Sequence, residues 1–145
     1  MKPQVLLMEN DESLRESLTW ALRSERFEVV PCQDPQEALH RLQEQDIDLV
    51  LLNVDSPHRQ GWAVARRIAL SRILLPLGLI TAKPGQQVRA ARVGADVLFE
   101  KPLDLGKMVD TVKHLLGPRR SGLRFRLQEA YAAAASSLLS RCGLE

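Results

Sequence analysis

Four short apolar runs in this 145-residue chain each lead into polar residues with chemical potential. Val5-Leu6-Leu7-Met8 leads into Glu9 and Asn10, and Leu49-Val50-Leu51-Leu52 into Asn53. The run from Leu77 to Ile80 ends at Thr81, and Val97-Leu98-Phe99 is followed by Glu100 and Lys101. Gathered in one place, Glu9, Asn10, Asn53, Thr81 and Lys101 would offer a carboxylate, two amides, a hydroxyl and an ammonium. Such a set binds and pairs charge. An amide has no anionic oxygen, and its nitrogen lone pair is delocalised, so Asn53 cannot act as a nucleophile.

Other chemistries find little support. Ser56, Ser71 and Thr81 lack a base with an orienting partner. His40 and His114 fall in expected helices, and His58 has no second histidine or cysteine at ligand spacing. Cys32 and Cys142 lie far apart, which gives no disulfide framework and suits a reducing cytoplasm. No glycine-rich phosphate loop occurs. Enzymatic activity is therefore not expected.

The elements that must position these residues follow from periodicity. After the first apolar run, Leu14, Leu18, Ala21 and Leu22 recur at helical spacing. Phe27, Val29 and Val30 form a strand-like patch. Asp34-Pro35-Gln36-Glu37 starts a second helix, with Asp34 as cap, Pro35 in the first turn and Glu37 completing a capping box. Leu49 to Leu52 is apolar at consecutive positions, as in a strand covered on both faces. A loop from Val54 to Gly61, with Pro57 and Gly61 as breakers, precedes a helix over Trp62 to Leu70. Gln86 to Val93 reads as a short helix stopped by Gly94. Leu105, Met108, Val109, Val112 and Leu115 or Leu116 mark a fifth helix, ended by Gly117-Pro118. Trp20 and Trp62 are spaced as core or helix-face residues.

Five alternating strand–helix pairs imply an α/β fold, a doubly wound five-stranded parallel sheet. Its working edge lies beyond the carboxyl ends of the strands, where the polar residues named above fall. Bulk properties agree. Apolar residues make up 45% and charged residues 26%, within the globular range, and a net charge of +2 is too small to argue for nucleic acid. No signal peptide or membrane span is expected.

The motifs carry a family resemblance. Val5 to Glu12 resembles the first strand and acidic cluster of response-regulator receiver domains of two-component phosphorelays. Asp48-Leu49-Val50-Leu51-Leu52-Asn53, with Pro57 and Gly61 beyond it, resembles their phosphoacceptor strand and loop. Leu79-Ile80-Thr81-Ala82-Lys83 is similar to the threonine strand. Gly94-Ala95-Asp96 followed by Lys101-Pro102 is similar to the lysine strand, whose Lys-Pro bond is usually cis. The likeness covers Lys2 to about Leu116 and implies the flavodoxin-like receiver fold.

The resemblance also assigns roles. Asn53 stands at the phosphoacceptor position, and Glu9 and Asn10 at the acidic pair that holds Mg²⁺. Thr81 and Lys101 stand at the phosphoryl-contact positions. Leu98 stands where an aromatic switch residue is common, with Phe99 directed to the opposite face. One carboxylate where three are usual implies weak or absent Mg²⁺ binding, because hard cations need several anionic oxygens. Asp11 and Asp55 are lesser metal candidates, read here as a helix cap and a solvated loop residue. Residue 55 can also offer its backbone carbonyl. Without phosphate, Lys101 should pair with Glu9, and Asn53 should hydrogen-bond beside them.

Two neutral substitutions, Asn10 and Asn53, favour a naturally degenerate receiver acting through protein–protein contacts. Two alternatives stay open. One is a conventional phosphoaccepting receiver with Asp changed to Asn at 53. The other is the receiver or dimerisation fragment of a longer transcription regulator. The expected partner is a histidine kinase or an output protein, with a homodimer through the last helices as a further option. Residues 1–117 form the receiver-like domain, and 118–145 a hinge plus an amphipathic C-terminal helix. Neither membrane nor nucleic-acid binding is expected, although Arg119, Arg120, Arg124 and Arg126 make a small basic cluster.

Overall fold

The computed structural model describes residues 2–55 and 60–117. Ten elements alternate strictly: β1 (Gln4–Met8), α1 (Glu12–Ser24), β2 (Glu28–Cys32), α2 (Pro35–Glu44), β3 (Leu49–Asn53), α3 (Gln60–Ser71), β4 (Leu77–Thr81), α4 (Gln87–Val93), β5 (Val97–Glu100) and α5 (Leu105–Leu115). The strands pair in parallel in the order β2-β1-β3-β4-β5. The expected fold class is thus observed. The hinge and extra helix at 118–145, with Cys142 and the arginine cluster, lie outside the described residues, as do Ser56, Pro57 and His58.

Strand alternation divides the apolar side chains between two cores. Leu6, Met8, Val50, Leu52, Leu77 and Leu79 face one layer, closed by Ala38 and Leu42 of α2, Val64 and Ile68 of α3, and Ala90 of α4. Val5, Leu7, Leu49, Leu51 and Ile80 face the other, closed by Leu18 and Leu22 of α1 and by Met108, Val109 and Val112 of α5. β3 and β4 are buried along their whole length, which explains why their sequences show no polar alternation. Each fully buried leucine contributes about 2 kcal/mol through removal of apolar surface from water.

The helix signals act nearly as expected. Asp11, Asp34 and Asp104 accept hydrogen bonds from the N–H groups of Leu14, Glu37 and Lys107. Glu37 departs slightly from a capping box, because its Oε2 accepts from the N–H of Gln33, one residue ahead of the cap. Gly94 ends α4 with φ of 96°, a left-handed conformation that a side chain would strain. The Lys101-Pro102 bond is cis.

One expectation is corrected. Gly61 is no breaker, because it lies in the first turn of α3 and lets the helix approach β3 closely. A Cβ there would lie 2.5 Å from both Cα and O of Val54. Of the two positions open to Trp20, it takes the helix face, 73% exposed on α1. Trp62 is half-buried against the α2–α3–α4 layer and lies under the guanidinium of Arg89 from α4, 4.2 Å from the ring centroid.

Candidate functional site: a self-paired pocket at the sheet's carboxyl edge

β1 and β3 are adjacent, yet their following helices lie on opposite faces of the sheet. A crevice opens at such a crossover. The strand register places Met8 beside Leu52, so Glu9 and Asn53 emerge next to each other. Across β4, Ile80 pairs with Asn53, and Thr81 with Glu100. The segments carrying Glu9, Asn53, Thr81 and Lys101 therefore end at neighbouring points of one sheet edge.

Glu9 and Thr81 are fully buried, and Asn53 is almost so. Asn10 is exposed at the rim. The Asn53 amide nitrogen donates to Glu9 Oε2 at 2.8 Å and to Asn10 Oδ1 at 3.1 Å. Its oxygen accepts from the backbone N–H of Asp55 at 2.8 Å. Two acceptors on one side and a donor on the other fix the amide's orientation. Lys101 Nζ lies 3.1 Å from Glu9 Oε1. That oxygen accepts no well-aligned hydrogen bond among the described residues, so Lys101 holds it as an ion pair. At an effective dielectric near 20, this attraction is about 5 kcal/mol before desolvation is subtracted. The expected arrangement, Lys101 on Glu9 with Asn53 bonded beside them, is the one observed.

Asp11 and Asp55 are both engaged in hydrogen bonds within the chain. The Asp11 side chain is occupied as the α1 cap, while its N–H donates to Glu9 Oε2 at 3.1 Å. Asp55 is corrected from a solvated loop residue. It is half-buried and turned toward β4, accepting from Thr81 Oγ1 at 2.8 Å and from the N–H of Ala82 at 2.6 Å. Among the described residues, no three His, Cys, Asp or Glu side chains converge as a metal set. Arg15 was missed by sequence reasoning. From α1 it donates to the Glu9 carbonyl at 2.7 Å and adds a second cation to the site. A basic residue one turn into the helix that follows the acidic pair was the available signal.

Leu98 packs in the α2–α3–α4 layer and Phe99 in the α1–α5 layer, so the two point to opposite faces as expected. His40 and His114 are exposed on α2 and α5. Cys32 is buried at the end of β2, and burial pushes its thiol pKa up to about 12, with Glu37 adding to the rise.

The comparisons with known proteins decide the family. The family model described as response regulator receiver domain matches residues 5–113. The chain belongs to the response regulator receiver family. This receiver domain is 28% identical over 121 residues to the cell cycle response regulator CtrA of Brucella ovis, covering 82% of the chain and 52% of that protein. It thus spans about half the length of the curated relatives it matches. A receiver domain protein described as CheY-like, from Methanospirillum hungatei, superposes with a TM-score of 0.78 at 18% identity, covering 84% of this chain and 98% of that one. The response regulator TrrA of Thermotoga maritima, solved in complex with Mg²⁺ and BeF, gives a TM-score of 0.73 at 27% identity, covering 80% and 100%. The receiver domain's setting is two-component signalling. Among the described residues, no helix is long and apolar enough to cross a membrane.

Proposed function

We propose that this receiver domain serves two-component signalling as a non-catalytic protein-interaction module, without aspartyl phosphorylation and without Mg²⁺. One observation carries the reading: the Asn53 amide nitrogen points its hydrogens at Glu9 Oε2 and Asn10 Oδ1. A phosphoacceptor needs an anionic oxygen there, and a divalent cation needs converging oxygen lone pairs. The pocket instead offers two amide hydrogens and an ammonium around one carboxylate. These residues do not fit a hexacoordinate Mg²⁺, because Lys101 and Asn53 already occupy both carboxylate oxygens of Glu9.

The partner in this reading is a histidine kinase or an output protein in the cytoplasm. The face formed by α4, β5 and α5 is its contact surface, where Val88 stands 64% exposed on α4. Neither nucleic acid nor a bilayer is required. A second reading, a conventional receiver changed at position 53, is favoured by the retained Thr81 and Lys101. Intact-mass analysis after incubation with acetyl phosphate and Mg²⁺ separates the two. We expect no phosphoryl adduct on the chain, and none on Asn53→Asp unless Asn10→Asp is added. A phosphoryl adduct on the unaltered chain would overturn the proposal. Full modification of the single Asn53→Asp variant would favour the second reading.

A further inference from the structure

The Asp55 carboxylate reaches groups far along the chain. It follows β3, yet its two oxygens accept from groups 26 and 27 residues later in the chain: Thr81 Oγ1 at 2.8 Å and the N–H of Ala82 at 2.6 Å. Thr81 Oγ1 in turn accepts from the N–H of Lys83 at 3.0 Å, so its hydrogen is directed at Asp55. A hydroxyl and a backbone N–H converging on the two oxygens of one carboxylate make an anion site. Hydrogen bonds to an ionised acceptor are roughly twice as strong as neutral ones, enough to outweigh the entropy of ordering one short side chain. On the other side of Asn53, Lys101 is committed to Glu9. The Lys101 ammonium and the Thr81 and Ala82 donors are thus divided between two internal carboxylates.

We propose that Thr81 Oγ1 and the Ala82 N–H form an anion-binding site whose permanent ligand is the chain's own Asp55. The carboxylate closes the site to external phosphate and ties the segment after β3 to the segment leading into α4. That second segment starts at Ala82 and enters α4 at Gln87, so the tie couples the entry to α4 to the end of β3 without any external anion. The inference deepens the proposed function and rests on it for its biological meaning: an interaction surface held permanently in one state. The carboxylate is supplied by Asp55 because its own N–H is anchored on Asn53 Oδ1 at 2.8 Å. The same amide that ends phosphate chemistry at position 53 thereby positions the substitute anion.

The test uses the full chain and amide-resolved NMR, comparing the unaltered protein with Asp55→Ala. Exchange of the Ala82 amide is expected to quicken on the order of tenfold in the variant, the scale of one lost charge-assisted bond. Inorganic phosphate is expected to shift the Thr81 and Ala82 resonances saturably in the variant and not in the unaltered chain. Thr81→Val, which removes one donor and keeps the β-branched shape, should also quicken Ala82 exchange, giving a second route if Asp55→Ala perturbs folding. Unchanged Ala82 exchange in both variants would overturn the proposal. So would a variant blind to phosphate, or an unaltered chain that binds phosphate equally well. Both readouts leave Asn53 unaltered and require no phosphoryl transfer. A phosphoryl adduct would sink the function reading alone, and an indifferent Ala82 would sink the anion tie alone.

Discussion

Replacing Lys101 by Met tests the energetics of the pocket most directly. The change keeps most of the side chain's volume and removes the charge 3.1 Å from Glu9 Oε1. Glu9 is fully buried, whereas the Lys101 side chain is 24% exposed, so the two ends of the pair are not equivalent. Deleting the ammonium strands a carboxylate that cannot reach water. Of the attraction of about 5 kcal/mol, solvent near Lys101 screens a part, leaving an expected loss of about 3 kcal/mol. Glu9→Gln should cost only about 1 kcal/mol, because Asn53 keeps an acceptor and Lys101 can turn to solvent. Adding Glu9→Gln to Lys101→Met should restore stability relative to Lys101→Met alone, since no charge is then buried. Urea unfolding followed by circular dichroism measures all four proteins, with a constant slope confirming comparable denatured states. A Lys101→Met protein within about 0.5 kcal/mol of the parent would refute the reasoning. So would a Glu9→Gln variant less stable than Lys101→Met.

Three further outcomes follow from packing and burial. Gly61→Ala places a methyl 2.5 Å from the Val54 backbone and should destabilise the fold by about 2 kcal/mol, read as a lower urea midpoint. Cys32, with its pKa raised from 9.0 to about 12, should escape iodoacetamide at pH 8 until the chain is denatured, as peptide mapping will show. Because the unfolded thiol ionises first, the folded state binds more protons between those values. Stability should therefore fall as pH rises from 9.0 toward about 12 through this group.

Most of the fold was legible because the physics that sets it is local and repetitive. Consecutive burial in Leu49 to Leu52 announced a central parallel strand, and Asp34-Pro35 announced a helix start. The Glu9–Lys101 pair was legible because charge balance required it once position 53 was neutral. What escaped was decided by three-dimensional approach. Gly61 reads in sequence as a breaker, and only its contact with Val54 shows why a residue without Cβ is needed inside a helix. The spacing of Trp20 fitted a core or a helix-face position, and only the outward turn of its α1 face decides for the second. Asp55 resembled any acidic loop residue, because nothing local reveals that donors 26 and 27 positions away converge on it. Arg15 was hidden for a similar reason: its partner is a backbone carbonyl, which any sequence supplies.

The stacking of Arg89 on Trp62 makes the molecule its own optical instrument. Of the chain's two tryptophans, Trp20 is largely in water, whereas Trp62 sits half-buried beneath a guanidinium carried by the neighbouring helix. Any partner that drags α4 away from α3 lifts that charge off the indole. The event registers as a change in emission colour or intensity, with no dye attached and a bright, indifferent reference on α1 to compare against.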